Sequence, residues 1–175
     1  DKVQTLSSNA YKNSRVEEVK AESCYNIARC FHAQGNYEAA FSHYYRIAVH
    51  QWPDFVLGRY GLGQLYIQRG ELDKAMTEYQ GILLKEPENF ETNKIIGALY
   101  AEKGKFTEAL KYFKTAHSIN PNDEQVLVEI SQFEHANPQA ALDALLKAKQ
   151  IMELKGHQFP YELYNNLGAL YHKLG

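Results

Sequence analysis

Apolar residues recur three and four positions apart along this chain, with polar residues between them. Cys24, Ile27, Ala28 and Phe31 form one such stripe, and Ala40, Tyr44 and Ile47 form a second. Leu127 and Ile130, then Ala141, Leu145 and Ala148, form two more. That spacing sets each group on one face of an α-helix. The pattern therefore predicts a chain built from amphipathic helices.

A longer period overlies the short one. GLGQLYIQRGELDKA (residues 61–75) is rewritten 34 residues later as IIGALYAEKGKFTEA. Gly63 and Gly97, Tyr66 and Tyr100, Gly70 and Gly104, Ala75 and Ala109, and Pro87 and Pro121 all keep that interval. Gly35, Ala40 and Tyr44 precede Gly70, Ala75 and Tyr79 by 35, and Gly168, Tyr171 and Gly175 repeat the first half of the phrase. A period near 34 with this residue order resembles the tetratricopeptide-repeat family. The resemblance implies an all-α fold, a right-handed α-solenoid of helix-turn-helix repeats.

Each recurring residue type within the period has a physical reading. Gly63 and Gly97 fall mid-helix, where glycine costs about 1 kcal/mol relative to alanine, and are expected where a neighbouring helix comes close. Ala75 and Ala109 take the matching spot on the second helix, with Tyr66 and Tyr100 filling the space beside them. Gly70 and Gly104 are expected to end first helices in a left-handed conformation. Pro87 and Pro121 are expected to stop second helices.

The phase divides residues 1–175 into a single array. Residues 1–15 read as the end of a preceding repeat, followed by repeats at 21–54, 56–89, 90–123 and 124–153. The last of these is degenerate, with an inter-helix turn around HANPQ about two residues shorter. LKGHQFP makes a longer connection over 154–160, and 161–175 reads as the first helix of a further unit. Neither end carries a polar cap of the kind a stable array needs, so the chain is expected to be part of a longer solenoid.

Composition narrows the functional classes. With 45% hydrophobic residues the chain can build a core. Its 19 basic and 21 acidic residues nearly cancel, so the clustered basic excess expected of a nucleic-acid binder is absent. No apolar run approaches the ~18 residues of a membrane span. The opening DKVQTLSSNAYKNSR lacks the apolar centre of a signal peptide. Cys24 and Cys30 lie six apart on one helix and point in different directions, which excludes a strain-free disulfide between them. Buried free thiols fit a reducing compartment.

Catalytic chemistry finds no support. The chain has no H-E-x-x-H, paired C-x-x-C or Walker-type loop. GLG at 61–63 lies within a helix and so cannot cradle a phosphate. His43 and His50 can share a helical face, but two ligands do not close a zinc site. Glu17 and Glu18 read as solvated charges near a helix start. The expectation is a non-enzyme with no cofactor, metal or small-molecule substrate.

Binding remains. In the tetratricopeptide family the concave face is lined by first helices. The repeat phase places Tyr25, Arg29 and His32 there, then Leu57, Tyr60, Gln64 and Ile67, then Glu91, Lys94 and Ala98, then Val128 and Gln132. Aromatic residues and arginine most often dominate interfaces. Trp52, before Pro53, reads equally as a local plug or a contact. The Lys/Asn/Arg set that clamps a chaperone's terminal carboxylate is missing in both frames. One frame offers Tyr25, Arg29, Gly61, Glu91 and Ile95; the other offers Tyr60, Gln64, Ile95, Gln125 and Glu129.

Several stretches go beyond the generic repeat: AESCYNIARCFHAQGNYEAAFSHYY (21–45), FVLGRYGLGQLYIQRG (55–70), NFETNKIIGALYAEKG (89–104) and NNLGALYHKLG (165–175). With the Tyr44–Tyr45 pair and the LKGHQFP connection, they resemble the large tetratricopeptide subunit of the RNA polymerase II-associated factor (Paf) complex, the Cln-three-requiring-nine family. That resemblance implies a nuclear scaffold in transcription elongation, linked to histone modification, with other Paf subunits and polymerase-associated proteins as partners. The alternative is a general peptide-binding adaptor of another assembly.

Overall fold

The computed structural model describes residues 2–175, apart from the side chains of His43 and Tyr44. Among the described residues there are helices and no strands. In order they are α1 (Lys2–Asn13), α2 (Glu17–Ala33), α3 (Tyr37–Ala39), a π-helical segment (Ala40–Tyr45), α4 (Arg46–Gln51), α5 (Val56–Gln68), α6 (Leu72–Leu83), α7 (Phe90–Glu102), α8 (Phe106–Ile119), α9 (Glu124–Phe133), α10 (Pro138–Leu154) and α11 (Tyr161–Leu174). They form two compact units, Asp1–Pro87 and Glu88–Gly175.

Helix ends follow the sequence closely. Gly35, Gly70, Gly104 and Gly156 all have φ between +71° and +74°. After α5 the Gly70 N–H donates to the Ile67 carbonyl and the Glu71 N–H to that of Tyr66, both at 2.9 Å. After α7, Gly104 and Lys105 repeat the pattern onto Ala101 and Tyr100. These paired bonds satisfy carbonyls that a helix end leaves open, and a left-handed residue is needed to make them. At N-termini, Asn89, Asp123 and Asn137 accept the N–H three residues on, at 3.0, 2.8 and 3.1 Å. Glu17 and Glu18 lie in the first turn of α2 as expected.

In the first unit α1 packs on α2, α2 on the π-helical segment and α4, and α5 on α6. One core gathers Ala28, Ala40, Phe41, Tyr45, Leu62 and Leu65. Another gathers Ala21, Cys24, Ala48 and Phe55, with Trp52 stacked on Phe55 at 5.1 Å. Trp52 is thus a plug. In the second unit α7 packs on α8, α8 on α9, α9 on α10 and α10 on α11. Its core includes Ala109, Phe113, Ala116, Val126 and Leu127. Leu142, Leu145, Phe159, Leu163 and Leu167 seat α11 and the connection at 155–160, α10 running on through Leu154.

Four expectations are corrected. The ring facing Gly63 is Tyr79, and the ring facing Gly97 is Phe113, each from the following helix. Tyr66 packs on Phe41, and Tyr100 packs on Tyr112 and against the core that holds Ala109. The turn around HANPQ is not shortened: it has four residues (134–137), against three at 69–71 and 103–105. The shortening is in α9, with 10 residues against 13 in α5 and α7. Cys30 is only half-buried, while Cys24 is buried.

The fourth concerns Tyr44, whose side chain lies outside the described residues. The buried ring matching Tyr79 is Tyr45, 34 positions before it. Ala40 precedes Ala75 by 35. One extra residue therefore lies between Ala40 and Tyr45, and the π-helical segment holds it: the Arg46 N–H donates to the carbonyl of Phe41, five residues back.

Candidate functional site: a tyrosine-lined groove with an exposed guanidinium

Tyr25, Arg29 and His32 follow one another at intervals of four and three on α2, so they share a face. Tyr60 and Gln64 do the same on α5. These five of the expected residues line one groove in the first unit, a cavity of about 310 Å³ that also includes Ala33, Tyr45 and Gly61. Leu57 and Ile67 lie on the same helix but outside the groove's lining, and Leu57 is exposed. Lys94, Ala98 and Val128 line a separate cavity in the second unit, and Glu91 and Gln132 are exposed.

Tyr45 is the centre of the groove. Its ring lies 5.9 Å from that of Tyr25, and its hydroxyl is 3.3 Å from His32 Nδ1. A Cβ at Gly61 would overlap the Tyr45 ring, so only glycine admits the ring there. Burial pushes the Tyr45 phenol up to about 12; Tyr25 adds to this and Arg29 opposes it. The phenol therefore stays protonated and available for hydrogen bonding at neutral pH.

Tyr25 is held by an edge-on contact with Phe55 at 5.4 Å. The Arg29 guanidinium lies 5.8 Å over the Tyr25 ring. It is exposed and has no acidic partner among the described residues. Tyr60 meets Tyr79 edge-on at 5.7 Å. The groove thus offers an unneutralised guanidinium, a buried phenol, an imidazole and an amide between aromatic walls. Such a set suits carbonyls, carboxylates and apolar side chains of an extended segment.

Gly61 enters from sequence only as a slot of the absent carboxylate clamp, and Tyr45 is not singled out for this groove. The only signal was the Tyr44–Tyr45 pair, which the generic repeat does not require. In the second unit Phe113, Gln125, Glu129, Met152 and Leu163 join the cavity of Lys94; of these Gln125 and Glu129 had been noted only for lacking a clamp's cations. Among the described residues no three His, Cys, Asp or Glu side chains are placed to hold a metal. Burial raises the Cys24 thiol to about 11, which suppresses its thiolate. No described helix is long and apolar enough to cross a membrane.

Two tetratricopeptide-repeat models match residues 24–94 and 93–123. The chain is 34% identical over 157 residues to "Protein CTR9 homolog" of Arabidopsis thaliana, a match covering 87% of this chain and 14% of that protein. It is 29% identical over 178 residues to "RNA polymerase-associated protein CTR9" of Caenorhabditis elegans, covering 95% of this chain and 16% of that protein. The chain thus spans about a sixth or less of the curated relatives it matches. Among solved structures, YrrB, described as a TPR protein with an unusual peptide-binding site, superposes with a TM-score of 0.80 at 19% identity over 95% of this chain and 82% of its own. That likeness carries the fold alone. By these repeats and this fold the chain belongs to the tetratricopeptide-repeat proteins, and the relatives it resembles in sequence include CTR9 proteins.

Proposed function

We propose that this chain is a protein-interaction segment of a scaffold in the Paf transcription elongation complex, acting with RNA polymerase II in the nucleus and supporting histone modification. Its role is binding, without catalysis or a cofactor. The observation that carries the reading is sequence similarity to CTR9 proteins along nearly the whole chain, one of them named as RNA polymerase-associated. The repeats at 21–54, 56–89, 90–123 and 124–153 supply the surfaces. The groove of Tyr25, Arg29, His32, Tyr60 and Gln64 is the first candidate contact, with Leu57 and Ile67 at its flank and Lys94 in the second unit. Other Paf subunits or polymerase-associated proteins are the partners; nucleic acid, membrane and small-molecule substrates are not.

The test is a pulldown from nuclear extract with the parent protein, with and without residues 21–153, read by mass spectrometry. Paf subunits should come down with the intact protein, and some should be lost with the deletion. Absence of transcription proteins from the intact sample would overturn the assignment in favour of a general tetratricopeptide adaptor.

A further inference from the structure

The second unit contains a cavity of about 370 Å³ with an unusual charge arrangement. Ala98, Val128, Met152 and Leu163 give it apolar walls, and Phe113 forms part of the lining. Three charged groups stand at or beside it: Lys94 and Glu129 in the lining, and Asp123 at the N-terminus of α9.

Two of the three satisfy each other. Lys94 Nζ donates to Gln125 Oε1 at 2.7 Å and lies 3.6 Å from Asp123 Oδ2. Asp123 also accepts the Val126 N–H at 2.8 Å. Glu124 faces away to Lys155 and His157, at 2.6 and 3.8 Å. Glu129 is left with no hydrogen-bond donor or close ion-pair partner among the described residues. Burial holds its carboxyl above the usual range, and the more distant charge of Lys94 only partly offsets this. With Lys94 and Asp123 cancelling, the cavity carries the single negative charge of Glu129. A half-buried carboxylate without a donor is costly, and a cation brought to it would relieve that cost.

We propose that this cavity receives the side chain of a lysine on a partner polypeptide. Its four-carbon stem lies along Ala98, Val128, Met152 and Leu163, and its ammonium meets the Glu129 carboxylate. Lysine is preferred to arginine on the walls rather than on the carboxylate, which would accept either cation: beyond Lys94, Gln125 and Glu129 the lining is apolar. A four-carbon aliphatic stem with a compact ammonium buries only methylenes there, whereas a guanidinium carries five donors and would leave those not facing Glu129 against apolar side chains. The inference rests on the reading of the chain as a binding scaffold and is independent of which complex it serves.

The test uses the 175-residue chain and three small probes: N-acetyl-lysine methylamide, the arginine analogue and the uncharged norleucine analogue. ¹H–¹⁵N spectra report binding at the amides of Ala98, Val128, Glu129 and Leu163. The lysine probe should shift these amides saturably, and norleucine should bind about tenfold more weakly, as expected for loss of a charged hydrogen bond. Glu129→Gln should remove the preference for lysine while leaving the remaining spectrum in place. Equal binding of lysine and norleucine, an indifferent Glu129→Gln variant, tighter binding of arginine than lysine, or no shifts at these amides would each overturn the assignment. Because no extract is involved, failure here leaves the Paf reading untouched, and failure of the pulldown leaves this pocket standing.

Discussion

The ring of Tyr79 occupies the space a methyl group on Gly63 would need: an added Cβ would stand 2.8 Å from two of its ring atoms. Gly97 and Phe113 repeat the relationship at 2.9 Å, whereas nothing lies within 4 Å of a Cβ on Gly168. The three glycines hold the same place in the repeat, so they make a controlled comparison. Gly63→Ala and Gly97→Ala should each destabilise by about 1–3 kcal/mol, since a large ring with buried neighbours has little room to retreat. Gly168→Ala should instead stabilise by about 1 kcal/mol through helix propensity alone. Urea unfolding of the three variants checks both signs.

Tyr79 is fully buried, and its hydroxyl has no hydrogen-bond partner among the described residues. Burial, with a smaller effect of Tyr60, drives its phenol pKa upward. The next repeat places Phe113 at the equivalent position, also buried. Tyr79→Phe should therefore be neutral or stabilising, by up to about 1–2 kcal/mol, because it removes an unpaired buried polar group while keeping the ring. A loss of stability in thermal melts would mean the hydroxyl has a partner that matters.

Arg59 anchors a half-buried charge, the carboxylate of Glu78. Its Nε donates to the Pro53 carbonyl at 2.6 Å and an Nη to Glu78 at 2.8 Å. Even so, burial outweighs the guanidinium and leaves the Glu78 carboxyl raised above its ordinary value of 4.5. The folded state thus holds this proton to higher pH than the unfolded chain. Its contribution to stability is full below pH 4.5 and is lost as pH rises through the folded value. Arg59→Gln should widen that loss, to about 1–3 kcal/mol at pH 7. Adding Glu78→Gln should restore most of it; urea unfolding at pH 4, 5.5 and 7 separates the cases.

The groove in the first unit makes a binding prediction. Arg29 is exposed and makes no ion pair among the described residues, and Tyr60 is only half-buried. Arg29→Glu with Tyr60→Ala should leave the helical circular-dichroism signal intact and weaken capture of the partners found by pulldown. Loss of helicity would make the two residues structural and remove them from the contact surface.

Much of the fold was legible because backbone constraints leave direct marks. A left-handed turn demands glycine, so Gly70 and Gly104 could be read at once. Side-chain partners leave weaker marks. Period alone could not say whether Tyr66 or Tyr79 fills the space at Gly63, since both rings recur as aromatics 34 residues on. The shortening within the fourth repeat is assigned to the wrong place for a similar reason: HANPQ looks like a clipped turn, but Asn137 caps a new helix and α9 simply ends early. In the groove, residues on one helical face were legible from spacing. Tyr45 was not, because the ordinary 3.6-residue count gives way around it.

That wide turn has a consequence for how such chains change length. An extra residue in an α-helix ordinarily rotates everything after it by about 100°, which would turn Ala48 and the helix beyond out of the core. Here the additional residue is absorbed within Ala40–Tyr45, and Ala48 returns to full burial 34 positions before Ile82, itself fully buried. The phase slip is healed within one turn and does not propagate. Insertion in a second helix can thus be harmless, and shortening this one by Ser42 should restore an ordinary α-helix in the same seat.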